Sequence, residues 1–283
     1  ILNYQSKVPE KLWPAGEQKA RMRLRKFIKQ NLNSYKQRRD FPAMAATSRL
    51  SPYLTAGMIS PRECFLAAFN ANHHQLASGS SGAVTWMNEL IWREFYKNIL
   101  AQNPRVSMGQ AFQLRTEKMP WQEHPQLFQA WAKGRTGIPI VDAAMRQLNA
   151  IGWMHNRLRM IVASFLVKNL QLDWRVGEKY FMEHLIDGDL AANNGGWQWC
   201  ASTGVDAVPY FRVFNPYTQS IRYDPEGELI REYCPELKKL TGRQIHRPPL
   251  SLLSKLSYPE PIIDVAASRR QFIAKYKKTV FNE

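Results

Sequence analysis

"IDGDLAANNGGWQWCASTG", residues 186–204, packs two acids, an Asn-Asn pair, a Gly-Gly pair and two tryptophans into nineteen positions. A segment that only filled a core would not carry so many polar side chains, and a surface loop would not carry two indoles. Asp187-Gly188-Asp189 can be read as a DxD metal motif, but that role comes with a parallel sheet that this chain lacks. Asp189 instead stands where an N-cap would start a helix over 189–201. On that helix Asp189, Asn193 and Trp197 recur every fourth residue and line one face. Trp199 turns about 200° away from Trp197. Asn-Asn-Gly-Gly is poor helix material, so tertiary contacts must hold it. An acid, an amide and an indole in one row suit the edge of a heterocycle with donors and acceptors.

Helical spacing recurs outward from this stretch, over 17–32, 83–101, 125–133, 139–149, 153–170, 174–185 and 262–279. Gly152 and Gly188 fall where helices should end. Alternating β-rich runs are nearly absent, apart from a possible short piece near 221–223, so the fold class is mainly α. Ser51-Pro52 and Ser60-Pro61 have the N-cap and N1 signature of helix starts, and Glu63 would complete a capping box with Ser60. Residues 72–82 read as a mobile loop, residues 1–15 as a linker remnant, and residues 16–283 as one domain.

Composition sets the class of partner. The 283 residues include 39 Lys and Arg against 23 Asp and Glu, a formal charge of +16. Such an excess suits an anionic polymer, because clustered cations neutralise phosphates and release counterions. Cys64, Cys200 and Cys234 are an odd number and form no CxxC, which argues against a disulfide framework or a metal site and fits a reducing cytosol. No apolar run approaches the roughly 20 residues that span a bilayer, so no membrane partner is expected. The chain opens on Ile1 without a signal-peptide pattern, as expected of a piece that begins inside a longer product.

Three further stretches carry chemistry. In Thr47-Ser48-Arg49-Leu50-Ser51, hydroxyls and one cation precede a helix start, a natural phosphate cradle, though ordinary capping gives the same pattern. In "WMNELIWREFYKNIL", 86–100, Trp86, Glu89 and Arg93 share a stripe with Trp92 to one side. Either Glu89 and Arg93 pair within the helix between core aromatics, or the stripe walls a planar, polar ligand. In "GWMHNRLRM", 152–160, Asn156, Arg159 and Met160 share a face and Arg157 turns away, which suggests two different anions. His155 has no second histidine at i+4 and reads as structural.

Taken together, "TSRLSPYL", "WMNELIWREFY", "GIPIVDAAMRQLNAIGWMHNRLRM" and "DGDLAANNGGWQW" resemble the signature blocks of the photolyase/cryptochrome family. The similarity is greatest to bacterial class I enzymes acting on cyclobutane pyrimidine dimers, and it runs over about residues 20–275. It implies a large helical domain that binds U-shaped FAD, without the α/β antenna domain that carries a light-harvesting pigment in that family. The implied FAD site comprises Tyr35, Thr47, Ser48, Arg49, Leu50, Ser51, Trp86, Arg93, Asn156, Arg159, Asp187, Gly188, Asp189 and Asn193. Arg159 would pair with Asp187, and Asn193 would sit by flavin N5. Arg39 and Arg157 would contact DNA phosphates, and Glu89, Trp92, Asn156, Met160 and Trp199 would receive the lesion. Trp197, Trp174 and Trp121 match the family's electron relay.

The activity so implied is light-driven repair. Photoexcited anionic reduced FAD lends an electron to a flipped-out dimer, its cyclobutane bonds split, and the electron returns. Asn156 and Met160 stand where (6-4) repair enzymes carry two histidines, so cyclobutane dimers in UV-damaged DNA are the expected substrate. A monomer of the bacterial cytoplasm is expected, with no metal. The main rival reading is a cryptochrome-like flavin photoreceptor, against which Glu89, Trp92, Asn156 and Met160 argue together, and a second is a basic helical DNA-binding module with no cofactor. Cys200, next to Trp199, departs from the family's pattern and implies a local packing change.

Overall fold

The computed structural model describes residues 8–281, and among them every regular element is helical. The helices are α1 (Glu17–Gln30), α2 (Tyr35–Arg38), α3 (Ser51–Thr55), α4 (Pro61–Ala71), α5 (Ser81–Gln102), α6 (Pro104–Ser107), α7 (Pro125–Ala132) and α8 (Pro139–Ile151). There follow α9 (Asn156–Ser164), α10 (Trp174–His184), α11 (Leu190–Ala201), α12 (Pro216–Tyr223), α13 (Glu228–Tyr233), α14 (Arg243–His246), α15 (Leu250–Leu253) and α16 (Val265–Tyr276). A single β-bridge, Gln122 to Leu172, is the one extended pairing among the described residues.

Local chemistry explains most boundaries. Ser60 Oγ accepts the Glu63 N–H at 3.0 Å, and Asp189 Oδ1 accepts the Ala192 N–H at 3.0 Å, so both caps form as read. Gly152 closes α8 in the left-handed region at φ 64°, which a side chain would strain. His155 caps α9, its Nδ1 accepting the Arg157 N–H at 3.1 Å.

Several expectations are corrected. Residues 221–223 lie in α12, whose start is capped by Asn215, so the β-rich appearance of Ile221 and Tyr223 is overridden by a helix start upstream. Ser51 is the first helical residue of α3 and not its cap, because Leu50 precedes it and Ser51 Oγ instead accepts from Trp153 Nε1 at 3.3 Å. Glu63 does not close a capping box, since its carboxylate is drawn to Arg21 at 3.0 Å. Gly188 ends no helix, because α10 stops at His184. The helix expected over 153–170 starts only at Asn156 and widens into a π-turn, Phe165–Asn169. The 72–82 loop is closed on buried Asn72, whose amide bonds Gln75 O, Ser78 O and Ser80 N.

Two apolar clusters form the body. One is built on α1 to α5 around Phe27, Tyr53, Cys64, Trp86 and Met87. The larger one is built on α7 to α16 around Trp131, Leu148, Phe165, Trp174 and Trp197. Residues 8–15 lie against the body, Trp13 Nε1 donating to Ile151 O at 3.1 Å.

Candidate functional site

A cavity of about 480 Å³ opens between the two clusters, and a second of about 160 Å³ adjoins it along α11. Both are concave and mostly apolar with a few converging polar groups, and the larger has the size of a small-molecule or cofactor site. The first cluster contributes Tyr35 from α2, the Thr47–Ser51 loop, and Trp86, Glu89, Trp92 and Arg93 from α5. The second contributes Asn156, Arg159 and Met160 from α9, Asp187 and Asp189, and Gly196 and Trp199 from α11. Segments over 150 positions apart in the chain therefore face one another.

Charge is arranged in pairs on these walls. Arg159 donates to both oxygens of Asp187, at 3.0 and 2.8 Å, and to Met154 O at 2.8 Å, and the Asp187 side chain is almost wholly buried. A buried carboxylate needs such a partner, and this geometry fixes the guanidinium in place. Arg93 pairs with Glu94 at 2.7 Å and lies 3.9 Å from Asp189. Glu89 pairs with Arg39 across 50 residues, so the intrahelical Glu89–Arg93 pair is not formed. Arg157 pairs with Asp40 at 2.9 Å and lies over the Tyr223 ring at 4.3 Å. The two arginines of α9 thus serve two anions, Asp40 and Asp187. Arg49 lies over Trp153 at 5.0 Å, and burial lowers its pKa, with Arg23 adding repulsion. Burial lowers the His155 pKa to about 4, outweighing opposing effects of the Arg39 backbone and Asp40. No cluster of three His, Cys, Asp or Glu suited to a metal occurs among the described residues.

Not every expected residue lies on the main cavity. Asn193 and Trp197 line the smaller one, with Cys200, and Asn193 Nδ2 donates to Glu178 O at 2.9 Å. Gly188 sits in the turn between the two aspartates, off both walls. Arg39 and Arg157 lie outside them as well, as do Trp174, wholly buried, and Trp121, partly buried. The Gln122–Leu172 bridge ties the segment of Trp121 to the segment that leads into Trp174. The rings packed directly on Trp197 are Phe181, at 5.0 Å between centroids, and Trp131, at 6.1 Å.

Sequence reasoning missed Leu54, Thr55, Tyr96, Trp153 and Gly196 on the cavity wall. The Gly-Gly pair was the available signal. A Cβ on Gly195 would stand 2.1 Å from the Tyr96 ring, whereas one on Gly196 would meet nothing within 4 Å. The first glycine lets α5 and α11 close together, and the second leaves a smooth wall on both cavities.

Residues 86–278 match the family described as the FAD binding domain of DNA photolyase. The chain belongs to the DNA photolyase family. It is 53% identical, over 98% of its length, to the deoxyribodipyrimidine photo-lyase of Salmonella typhimurium, and 52% identical over 94% to that of Escherichia coli. It covers 59% and 56% of those two proteins, so it spans little more than half the length of these photolyase relatives. Among solved structures, a class III photolyase from Agrobacterium tumefaciens superposes with a TM-score of 0.89 at 41% identity, covering 97% of this chain and 58% of that one. A cryptochrome from Synechocystis superposes with a TM-score of 0.83 at 32% identity, covering 97% of this chain and 61% of that one. The photolyase cavity fits FAD on this structure's own terms: Gly196 leaves room for close approach of a flat ring, and fixed cations and acids stand at its edge.

Proposed function

We propose that the chain is the FAD-binding, catalytic part of an enzyme that uses light to repair cyclobutane pyrimidine dimers in DNA. The observation that carries this reading is the single cavity on which the Arg159–Asp187 pair and the open Gly196 wall meet Glu89, Trp92, Met160 and Trp199. A polar, buried end suited to a cofactor is thereby continuous with an aromatic end, where Trp92 is exposed, suited to flipped bases.

When bound in its anionic reduced form, FAD supplies an electron donor that light activates. Tyr35, the Thr47–Ser51 loop, Trp86, Arg93, Asn156, Arg159, Asp187, Asp189 and Asn193 hold it, with Gly188 shaping the turn between the aspartates. Asn193 commits one N–H to the Glu178 carbonyl, which leaves its second N–H and its carbonyl oxygen available. Trp92 and Trp199 stack on the extruded pyrimidines, and Asn156 and Met160 complete their pocket. Glu89 accepts from a pyrimidine edge, and Arg39, its partner in this structure, is then released toward a phosphate. Arg157 contacts a second phosphate. Trp197 is the first station of a relay that continues through Trp174 to Trp121.

UV-damaged DNA is thus the partner, met by a monomer in the bacterial cytoplasm. An antenna pigment belongs to the part of the photolyase relatives that this chain does not cover. A Synechocystis cryptochrome shares the fold, so the choice between repair and photoreception rests on the four lesion-facing residues, which favour repair. The test is to illuminate reduced, FAD-loaded protein with a dimer-bearing oligonucleotide. Restored pyrimidine absorbance is expected, and none under saturating light overturns the reading.

A further inference from the structure

The lesion-side rim of the cavity continues from Trp199 into the segment 202–213, of which Asp206 lines the cavity and Phe211 is exposed. Residues 202–204 are buried and bonded to Gln113, Gln198 and Tyr276, whereas 205–213 are held to the body by fewer contacts. Val208 N donates to Trp199 O at 3.2 Å, Ser202 Oγ donates to Val208 O at 2.7 Å, and Tyr210 stacks on Tyr276 of α16 at 4.9 Å. Val213 enters a small cluster with Met119, Phe272 and Tyr276.

Beneath it lies Lys168, in the π-turn after α9, with no exposed surface at all. Among the described residues no carboxylate forms an ion pair with it. Its Nζ lies 5.6 Å from the Phe272 ring centroid and donates to Arg212 O at 3.2 Å. An unpaired buried ammonium is among the most expensive groups a core can hold. Burial lowers its pKa to about 8, which still leaves it mainly charged at neutral pH. A methionine would fill the same space without that cost, so what the amine adds is its hydrogen bond to Arg212 O.

We propose that Lys168 is a positioning residue for damaged DNA, anchoring the 205–213 loop from below through the Arg212 carbonyl and so fixing one rim of the lesion cavity. It touches neither cofactor nor lesion. The anchoring itself is independent of the enzyme's chemistry, whereas its effect on DNA rests on the repair reading above. A loop held in its bound shape loses less entropy when the lesion docks, which favours lesion-bearing strands over intact ones.

The experiment compares the FAD-loaded protein with Lys168→Met and Lys168→Gln, following hydrogen exchange of 205–213, thermal unfolding, and affinity for one oligonucleotide with and without a dimer. For Lys168→Met the expected result is loop exchange accelerated about tenfold, dimer affinity weakened about tenfold and intact-strand affinity within about twofold, from loss of a charged hydrogen bond. Its unfolding temperature should be unchanged or higher, because a buried charge has been removed. Lys168→Gln keeps an N–H donor and should retain most of the loop protection. Unchanged loop exchange in Lys168→Met, equal loosening in both variants, or global unfolding of both overturns the assignment. If the unaltered protein does not prefer the dimer strand, the repair reading fails, while loop exchange still decides the anchor.

Discussion

The adjacent glycines of α11 predict opposite outcomes for the same substitution. Each lies in the helix interior, where replacing Gly by Ala gains about 0.8–1.0 kcal/mol of helix propensity. At Gly196 a Cβ meets nothing within 4 Å, so Gly196→Ala should raise the stability of the FAD-free protein by about 0.5–1 kcal/mol. For a chain of this size that is a rise in Tm of about 1–2 °C. At Gly195 the new carbon stands 2.1 and 2.3 Å from two Tyr96 ring atoms, against the roughly 3.5 Å of ordinary carbon contact. Overpacking costs about 1–3 kcal/mol, and an approach this close to a ring belongs to the upper part of that range, so after the propensity gain Gly195→Ala should be destabilised by about 1–2 kcal/mol. Gly196→Leu then carries the functional half. It keeps the fold but projects into both cavities, and FAD uptake should fall by roughly a hundredfold or more. Urea unfolding of the FAD-free proteins and titration of flavin fluorescence measure both halves. Equal destabilisation by the two alanines would refute the packing argument, and undiminished FAD uptake by Gly196→Leu would refute the placement of the cofactor.

Three further outcomes are expected. Trp197→Phe should block photoreduction of oxidised FAD while chemically reduced protein still repairs, read by flavin absorbance and a repair assay, and loss of both activities would remove Trp197 from the relay. Arg157→Ala should lower the slope of log affinity against log salt by about one, and an unchanged slope would exclude a phosphate contact. His155 has its native pKa depressed from 6.5 to about 4, so the folded state resists its protonation. Stability should therefore be fully present above pH 6.5 and fall by about 3 kcal/mol as the pH drops toward 4. His155→Asn, which keeps a good helix cap, should flatten that fall in urea midpoints measured between pH 7 and pH 4.5. An equally steep fall would mean other groups control the acid limb.

The helices were readable because their signals are local. Ser60, Asp189 and Gly152 act on neighbours within one turn, and the apolar spacing of α8 repeats every few residues. Ser51-Pro52 was misread because Trp153, a hundred residues away, claims the hydroxyl. The triplet of residues 221–223 was misread because two β-formers cannot outweigh the Asn215 cap of a longer helix.

The site divides along the same line. Which side chains would line it was legible from motif and face, since Trp86, Glu89 and Arg93, or Asn156, Arg159 and Met160, are brought together by helical period alone. Their partners were not. Glu89 had Arg93 one turn away in the chain, yet packing of α2 against α5 gave it Arg39 instead. The buried Lys168 beneath Arg212 has no sequence signature at all. The sequence by itself determined the helices, their principal caps and the faces that bear chemistry, because these follow from torsions and hydrogen bonds over a few residues. Only the tertiary structure decided which charges meet, which glycine opens onto a cavity and which carries a neighbouring ring, because those depend on how helices distant in the chain pack together.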